Sequence, residues 1–319
     1  MRAIESGMDQ TGLPTKRLCE VCGGDRNVPL PAPWDVLRCL DCGLVFARSV
    51  ASPGVAERLY EEEFARGNKH PTYMFDGAAY VPRAGERWAT LLQELERFRK
   101  PGRILDIGCS LGFLLHQAQE RGWEAYGLDV STCAANYAQQ HFGIKIHLGI
   151  LEEHTYPHGF FDAVICSHVI EHVPSPRELL RRIHEILRPG GVALIVVPTQ
   201  FASLSYKVFG RVRGEGPPKH LYFFSRRTLL ALLQQEGFVV LQSEMNTQLA
   251  ELFGSLTRSK RVEETLGRQS EKIVSRAPQT LWERARGRGV RAAKSLVNRL
   301  GTQFDFGDEL TTYAEKRTG

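Results

Sequence analysis

Apolar residues in the middle of the chain follow two alternating periods. Short apolar runs of strand length occupy residues 103–107, 124–128, 145–148, 161–166, 192–197 and 238–242. Helical patterns separate these runs at residues 113–118, 133–142, 177–187 and 226–235. Strands separated by helices of this length predict an α/β domain with a parallel, doubly wound sheet. Upstream of the first strand, Trp88, Leu91, Leu92, Leu95 and Phe98 recur at helical spacing and predict a packing helix that leads into residue 103.

Composition places the chain among soluble globular proteins. It has 319 residues, of which 42% are hydrophobic and 24% charged, and this length suits about two domains. No apolar run approaches the roughly 20 residues that span a bilayer, and the N-terminal residues contain no stretch typical of a signal peptide. We therefore expect a cytoplasmic protein and exclude a disordered, collagen-like or disulfide-stapled chain.

Positive charge is concentrated in one segment. The net charge is only +5, but residues 251–301 hold 12 basic and 5 acidic side chains. An apolar stripe alternates there with arginines and comprises Trp282, Ala285, Ala293, Leu296, Val297 and Leu300. A basic amphipathic helix of this kind either lies on an anionic membrane or covers a sheet edge or a pocket mouth. The covering role is favoured, because Gly287 and Gly289 weaken the helix.

Four of the seven cysteines form two closely spaced pairs near the N-terminus. Cys19 and Cys22 are followed by sixteen residues and then by Cys39 and Cys42, and each pair runs into glycine. Two such pairs brought together by a hairpin supply four thiolates in the tetrahedral arrangement that Zn²⁺ prefers. A set of four thiolates leaves no open coordination position, so the predicted zinc is structural. The rival interpretation, disulfides or free thiols, is disfavoured by the predicted cytoplasmic location.

The first strand of the central unit runs into a glycine-rich turn and a helix. Gly108 and Gly112 bracket this turn, and Asp129 ends the next strand. A glycine-rich turn lets the backbone approach a ligand, the helix N-terminus offers unpaired N–H groups, and an acid at this strand end can accept bonds from ribose hydroxyls. By themselves these features fit either a dinucleotide or an adenosylated methionine.

A resemblance to the class I S-adenosylmethionine-dependent methyltransferases rests on four short motifs. They are LDIGCSLG at residues 105–112, GLDV at 127–130, FDAV at 161–164 and LRPGG at 187–191, and the resemblance extends over about residues 101–240. It implies that Asp106, Gly108 and Gly112 hold the methionine part of the cofactor and that Asp129 holds its ribose. The full set of residues assigned to the cofactor is Asp106, Gly108, Cys109, Ser110, Gly112, Asp129, Val130, Leu151 and Ser167.

Two positions depart from the pattern of that family. Ser110 replaces the middle glycine of the turn, and Ile150 stands where the family often has an acid for the adenine amino group. Adenine is then expected to be held by backbone groups and by packing against Val130 and Leu151. We expect a weaker cofactor affinity, not a loss of binding.

A polar cluster follows the fourth strand of the central unit. The sequence SHVIEHVP at residues 167–174 is similar to the Glu-x-x-Glu-His element of the ubiquinone-biosynthesis O-methyltransferases and the small-RNA 2′-O-methyltransferases. The resemblance implies a divalent cation held by His168, Glu171, His172 and a later histidine, His220, with His168, His172 and His220 as catalytic candidates. The simpler interpretation, in which Glu171 and His172 only organise the strand-to-helix junction, is favoured over metal binding. Under either interpretation His168 and His220 are placed near the acceptor.

Together these features predict a Rossmann-like, seven-stranded methyltransferase sheet preceded by a small zinc ribbon. The predicted units are a ribbon at residues 1–50, a helical linker at 51–100, a methyltransferase domain at 101–245 and 307–319, and a basic insertion at 246–306. Residues 308–316 resemble the antiparallel seventh strand of the family.

The predicted function is methyl transfer from S-adenosylmethionine, most simply to oxygen, on a small-molecule, sugar or lipid-linked acceptor. One alternative is an RNA methyltransferase that grips phosphates with the ribbon and the basic insertion. Against it, the fourth strand ends at Cys166-Ser167-His168 and lacks the Asn/Asp-Pro-Pro-Tyr motif of amino-directed nucleic-acid methylases. A second alternative is a non-catalytic interaction module, which the intact cofactor turn disfavours.

Overall fold

The protein contains two β-sheets and the helices that cover them. The computed structural model describes residues 17–49, 58, 61–62, 80–151, 156–210, 212, 214–247 and 295–317, and every structural statement below concerns these residues. The predicted linker before residue 80 and most of the basic insertion, including Trp282, Ala285 and Ala293, therefore lie outside the described residues.

Eleven strands are present in the described residues. They are β1 (Asn27–Pro29), β2 (Val36–Cys39), β3 (Val45–Ala47), β4 (Arg103–Ile107), β5 (Glu124–Asp129), β6 (Ile146–Leu148), β7 (Phe161–Ser167), β8 (Leu187–Pro198), β9 (Tyr222–Phe223), β10 (Phe238–Asn246) and β11 (Glu309–Lys316). The larger sheet has the order β10-β11-β8-β7-β4-β5-β6, and β11 alone runs antiparallel to its neighbours. This is the Rossmann-like, seven-stranded sheet that the sequence predicts.

Six α-helices connect or flank these strands, and a further helical segment occupies residues 295–304 before β11. They are α1 (Tyr80–Phe98), α2 (Phe113–Glu120), α3 (Thr132–Phe142), α4 (Pro176–Ile186), α5 (Leu204–Phe209) and α6 (Arg226–Gln235). Serine caps fix several of the starts: Ser131 accepts a bond from an N–H of α3, Ser175 does so for α4, and Ser225 forms a capping box with Thr228 of α6. None of the described helices has the length and apolar character needed to cross a membrane.

Side chains of the central strands alternate between two apolar layers. Ile104, Ile165 and Leu194 pack with α1 and α2 on one side of the sheet. Leu105 and Ile195 face the other side, where they share a core with α4 and α6. This alternation follows from the period of two in an extended chain, and it produces the doubly wound arrangement.

The four-stranded sheet packs into the apolar layer that contains Leu105, Ile195, α4 and α6. Its order is β1-β2-β3-β9, and all its pairs are antiparallel. Three strands come from the cysteine-rich N-terminal segment, and the fourth, β9, comes from residues just after His220. We call β1–β3 and the turns between them, residues 17–47, the ribbon. Cys19, Leu44 and Phe46 of the ribbon lie in the same apolar core as α4 and α6.

Candidate active site

A left-handed turn joins β4 to α2. Gly108 has φ +71, Ser110 has φ 49 and Gly112 has φ +78. Glycine is required at two of these positions for space as well as for backbone conformation. A Cβ on Gly108 would lie 2.4 Å from a methyl carbon of Val169, and one on Gly112 would lie 2.9 Å from the Cβ of Ala138. The turn therefore leaves the N-terminus of α2 open at the carboxyl end of the sheet, where open α/β sheets bind ligands.

Two buried aspartates stand at the ends of neighbouring strands beside this turn. Asp129 accepts hydrogen bonds from the backbone N–H of Ser110 at 2.7 Å and of Ser131 at 2.9 Å. Burial raises the pKa of Asp129 even though these N–H groups lower it. Asp106 is buried too, and burial together with the charge of Asp129 raises its pKa well above the ordinary value. The pair is thus suited to a cationic ligand, which would stabilise the carboxylate forms.

The turn also contains a polar atom suited to a ligand. The Ser110 hydroxyl is buried and has no hydrogen-bond partner among the described residues, and a buried hydroxyl normally has one. Val130 and Ser167 are half-buried at the same end of the sheet. The thiol of Cys109 points into a core cluster with Leu115, and Leu151 belongs to the larger core. Of the residues assigned to the cofactor, Cys109 can therefore contribute only its backbone.

A second polar group lies under the loop that follows β7. Glu171, His172 and His220 each offer one atom that can coordinate a metal ion, and these atoms all lie within 4.8 Å of one another. Glu171 is fully buried, and within the described residues neither of its carboxylate oxygens has a hydrogen-bond partner. Burial raises the pKa of Glu171, but the imidazoles of His168, His172 and His220 outweigh this effect and lower it, so the buried group is a carboxylate. His168, whose Nδ1 lies 3.5 Å from Glu171 Oε1, supplies part of the positive charge that a buried carboxylate needs.

Hydrogen bonds orient both histidines of this group. His172 donates from Nδ1 to the carbonyl of Lys219 at 3.0 Å, and its Nε2 lies 3.8 Å from Glu171 Oε1. The side-chain amide of Gln200 bonds Nδ1 of His220 at 2.7 Å. Burial lowers the pKa of His220 to about 4, which leaves its imidazole neutral at neutral pH. An imidazole held by a backbone carbonyl, next to a buried carboxylate, is the arrangement that divalent-cation sites use.

The four ribbon cysteines converge as their spacing predicts. Cys19, Cys22, Cys39 and Cys42 have sulfur atoms within 4.8 Å of one another, and all four are free thiols. The Sγ atoms of Cys19 and Cys42 are 3.4 Å apart, and those of Cys22 and Cys39 are 3.5 Å apart. Four thiolates about 2.3 Å from one zinc ion lie at comparable mutual distances. Burial raises the pKa of Cys19, and that of Cys42 to about 11, which disfavours thiolates unless a metal ion compensates their charge.

Comparison with known proteins gives the family. A family model described as a methyltransferase domain matches residues 80–243, just over half of the chain. The chain belongs to this methyltransferase family. The match begins with α1 and ends within β10, so it includes both the cofactor turn and the Glu171 group but not the ribbon.

Curated relatives agree with this assignment, and a solved structure shares the fold. The chain is 26% identical over 158 residues to a ubiquinone biosynthesis O-methyltransferase of Bordetella avium, covering 46% of this chain and 66% of the relative. It is 34% identical over 115 residues to the enzyme of the same description from Aromatoleum aromaticum, covering 34% and 49%. The matches thus span about half to two thirds of these relatives. The crystal structure of the [4+2]-cyclase SpnF shares the fold, with a TM-score of 0.53 and 18% identity over 85% of this chain and 98% of that one.

His168 occupies a different place in this methyltransferase domain from the one that the sequence predicts. The predicted polar cluster at residues 167–174 contains a hydrogen-bonded turn in which the N–H of His172 bonds the Val169 carbonyl. His168 has φ 56 and reaches Glu309 of β11, with Nε2 3.0 Å from Oε2. The group of possible metal ligands therefore consists of Glu171, His172 and His220. His168 lies beside this group, with its Nδ1 3.5 Å from Glu171 Oε1.

Two functional-site residues were missed by the sequence analysis. Glu309 comes from the last strand and pairs with both His168 and Arg87; their charges and hydrogen bonds outweigh burial and lower its pKa to about 2. Gln200 follows β8 and orients His220. Neither residue belongs to a local motif. Only the pairing of β11 with β8, which aligns Glu309 with Pro198, brings Glu309 to the site.

Proposed function

We propose that the protein transfers the methyl group of S-adenosylmethionine to an oxygen of a small or lipid-linked acceptor. The observation that best supports this function is the coexistence of two sites at one end of the sheet. One is the open turn at residues 108–112 with its buried aspartates. The other is the buried Glu171–His172–His220 group. The names of the ubiquinone biosynthesis O-methyltransferases favour oxygen as the atom that is methylated.

The chain's own residues supply binding and orientation. Asp106 receives the cationic methionine part of the cofactor, and the N–H groups at the start of α2 receive its carboxylate. Asp129, Val130 and Leu151 hold the ribose and adenine. S-adenosylmethionine, when bound, would supply a sulfonium methyl group for in-line transfer to the acceptor oxygen and would leave as the neutral thioether, and Glu171 would take up the hydroxyl proton of the acceptor. Alignment of the two reactants is the main catalytic contribution.

The polar group beside the acceptor controls the hydroxyl proton. Glu171 is a buried carboxylate and His220 is a neutral imidazole, so both can accept a proton or a cation. Glu171, His172 and His220 fit a divalent cation, which when bound would lower the pKa of the acceptor hydroxyl. His168, held between Glu171 and Glu309, has a pKa raised to about 9 by those carboxylates, against the effect of burial, and adds a positive charge at the border of the site.

We also propose that the four ribbon cysteines bind one structural zinc ion. The convergence of four free thiols supports this proposal. Elemental analysis of the purified chain is expected to give one zinc per molecule. The variant Cys39→Ser is expected to lower that ratio, and a chain purified without zinc would contradict the proposal.

An exposed apolar stripe favours a lipid-linked acceptor. Leu296, Leu300 and Phe304 recur every four residues along the helical segment 295–304, with 58%, 38% and 62% of their surfaces exposed. The opposite face of this helix is small and polar: Gly301 is buried, and Asn298 bonds the start of the insertion. We propose that this stripe, with exposed Val208 of the neighbouring α5, contacts an anionic membrane through which the acceptor is presented.

Cofactor binding and methyl transfer test the central proposal directly. Calorimetric titration of the full chain with S-adenosylmethionine is expected to show saturable binding. Incubation with the cofactor and a catechol is expected to add one methyl group to the catechol, since its adjacent hydroxyls offer both a nucleophile and a cation ligand. Titration without heat or saturation would overturn the proposal, and binding without catechol methylation would exclude catechols as acceptors.

A further inference from the structure

The ribbon completes the backbone on which His220 stands. β3 pairs with β9 so that Val45 aligns with Phe223 and Phe46 with Tyr222, and the N–H of Ala47 bonds the Leu221 carbonyl at 2.8 Å. On its other side, this segment donates the N–H groups of Leu221 and Tyr222 to the carbonyl of Glu171, at 2.8 and 3.2 Å. The two residues after His220 are thus held between the ribbon and the loop that carries Glu171.

Trp34 of the ribbon packs on the turn that precedes His220. Its ring stacks on Phe223 at a centroid distance of 5.4 Å and an angle of 13°. It also lies so close to Gly216 that a Cβ there would be 2.4 Å from the indole. The carbonyl of Gly216 accepts the N–H of His220 at 3.2 Å. Trp34 therefore packs against the turn whose Gly216 carbonyl holds the His220 backbone.

The ribbon is also tied to the loop that carries the rest of the polar group. Arg17 bonds both the Ala47 carbonyl and the Tyr222 hydroxyl, and that hydroxyl donates to the carbonyl of Pro174 at 2.7 Å. From the other direction, Arg177 of α4 donates to the carbonyls of residues 20 and 21. Both chain segments of the Glu171–His172–His220 group, residues 169–175 and 214–224, are therefore fastened to the ribbon.

We propose that the ribbon is a positioning element of the acceptor site, in which Trp34 and the β3–β9 pairing hold His220 against Glu171 and His172. This rests on the proposed function only in that the polar group acts on the acceptor. The turn at residues 108–112 meets the fastened segments at Val169, but its backbone is held by hydrogen bonds to Leu128 and Asp129 of β5. Loosening the ribbon contact should therefore impair acceptor chemistry and leave cofactor binding intact, which a detached recruitment module would not do.

The test compares Trp34→Ala with Trp34→Phe in the full-length chain. Histidine-selective NMR, with His220 assigned from His220→Gln, reports the imidazole environments, and hydrogen exchange reports the backbone of residues 216–224. Trp34→Ala is expected to shift the His220 and His172 signals and to raise exchange in that peptide about tenfold. Signals of His184, which packs on Phe238 of β10 away from this group, are expected to stay in place. Trp34→Phe, which keeps a ring on Phe223, is expected to restore the wild-type spectrum.

Trp123→Ala provides a matched control. Trp123 is buried near the amino end of β5, where it bonds Glu96, so its loss lowers global stability without touching the ribbon. Titration with S-adenosylmethionine is expected to give dissociation constants within about twofold of wild type for Trp34→Ala. The proposal is overturned if the His220 signals stay unchanged in Trp34→Ala, or if Trp123→Ala shifts them equally. Absence of cofactor binding in the wild-type protein would defeat the proposed function but leave the NMR and exchange results to decide the positioning role.

Discussion

At the scale of single residues, the site combines groups that are unfavourable without a ligand. Asp106 is buried with a raised pKa, and the Ser110 hydroxyl is buried without a hydrogen bond in the described part of the chain. Each costs folding free energy unless another molecule compensates it. Such costs are typical of binding sites, where stability is given up for affinity.

Asp106 predicts a pH dependence of cofactor binding. Its folded-state pKa lies above 3.8 because of burial and the Asp129 charge, and a cationic cofactor binds the carboxylate form. Affinity for S-adenosylmethionine is therefore expected to fall as the pH is lowered through that raised pKa, with proton release on binding in this window. Calorimetry across about pH 4–8 in buffers of different ionisation enthalpy measures both effects. A pH-independent affinity throughout that range would contradict the assignment of Asp106.

The same aspartate predicts opposite effects on binding and stability. Between the unfolded and folded pKa values the folded state binds more protons, so stability falls as the pH rises through this window. Asp106→Asn is therefore expected to raise the melting temperature of the ligand-free protein at neutral pH. It is also expected to weaken cofactor binding by about tenfold or more, since a charge-assisted bond is lost. Thermal unfolding with and without the cofactor checks both.

Alanine variants of Gly108 and Gly143 distinguish the stability cost of steric crowding from that of backbone strain. Both have positive φ, but a Cβ on Gly108 meets Val169 at 2.4 Å, whereas one on Gly143 meets nothing within 4 Å. Gly143→Ala is expected to cost about 1 kcal/mol through strain alone. Gly108→Ala should cost about 2–4 kcal/mol, because overpacking adds to the strain, and should weaken cofactor binding. Urea unfolding measures both, and adding Val169→Ala to Gly108→Ala should recover the excess. Equal costs for the two glycine variants would show that Val169 imposes no restriction.

At the scale of elements, the regular part of the fold was predictable because each strand and helix has its own local pattern. The apolar run at residues 161–166 is buried on both faces and became β7, and Ser225 starts α6 as a cap. β9 has no such local signal: its partner in the sheet, β3, is far away in the sequence. The clue was the run of residues 221–224, all four of which are buried. An apolar run without alternation indicates cover on both faces, and the second cover is the ribbon.

Tyr222 tests the junction between these elements. Its hydroxyl is the point where Arg17 of the ribbon and Pro174 of the site loop meet. Tyr222→Phe keeps the ring and removes the bonds, so we expect a loss of about 1–2 kcal/mol in the free energy of unfolding. Denaturant unfolding of Tyr222→Phe measures this loss. Tyr313→Phe is the control for site specificity, because it loses one hydroxyl bond to the Leu91 carbonyl on the other face of the sheet. Increased hydrogen exchange near residues 216–224 is expected only for Tyr222→Phe, and unchanged exchange there would mean that the hydroxyl bonds do not hold the junction.

At the scale of the whole molecule, the carboxyl end of the sheet brings together everything that the proposed reaction needs. The cofactor turn follows β4, the Glu171 loop follows β7, Gln200 follows β8, and Glu309 begins β11. The sequence predicted the cofactor turn and three of the polar residues because they sit in short motifs. It could not predict Glu309 or Trp34, since their roles depend on strand pairing between distant segments.

The membrane contact that we propose for the helix before β11 would lie at this same end of the sheet. Residues 307 and 308 bond Thr199 at the end of β8, and Glu309 then reaches His168, so the exposed stripe at Leu296, Leu300 and Phe304 borders the acceptor side. Residues 251–301 carry 12 basic against 5 acidic side chains, which suits an anionic surface. The full-length protein is expected to float with vesicles containing phosphatidylserine and far less with pure phosphatidylcholine, and added salt should weaken the binding.

Neutral polar substitution within the stripe separates lipid contact from simple electrostatic attraction, because it leaves the net charge unchanged. Leu296→Gln with Phe304→Gln is expected to reduce flotation about tenfold or more, because two apolar side chains no longer enter the lipid interface. Leu148→Gln is the matched control, because Leu148 is 49% exposed on β6 at the opposite edge of the sheet, and it should float like wild type. If the double variant floats normally, the arginines alone attract the vesicles. If it loses folding stability instead, the stripe is covered by the protein's own chain, and the acceptor is then reached from solution.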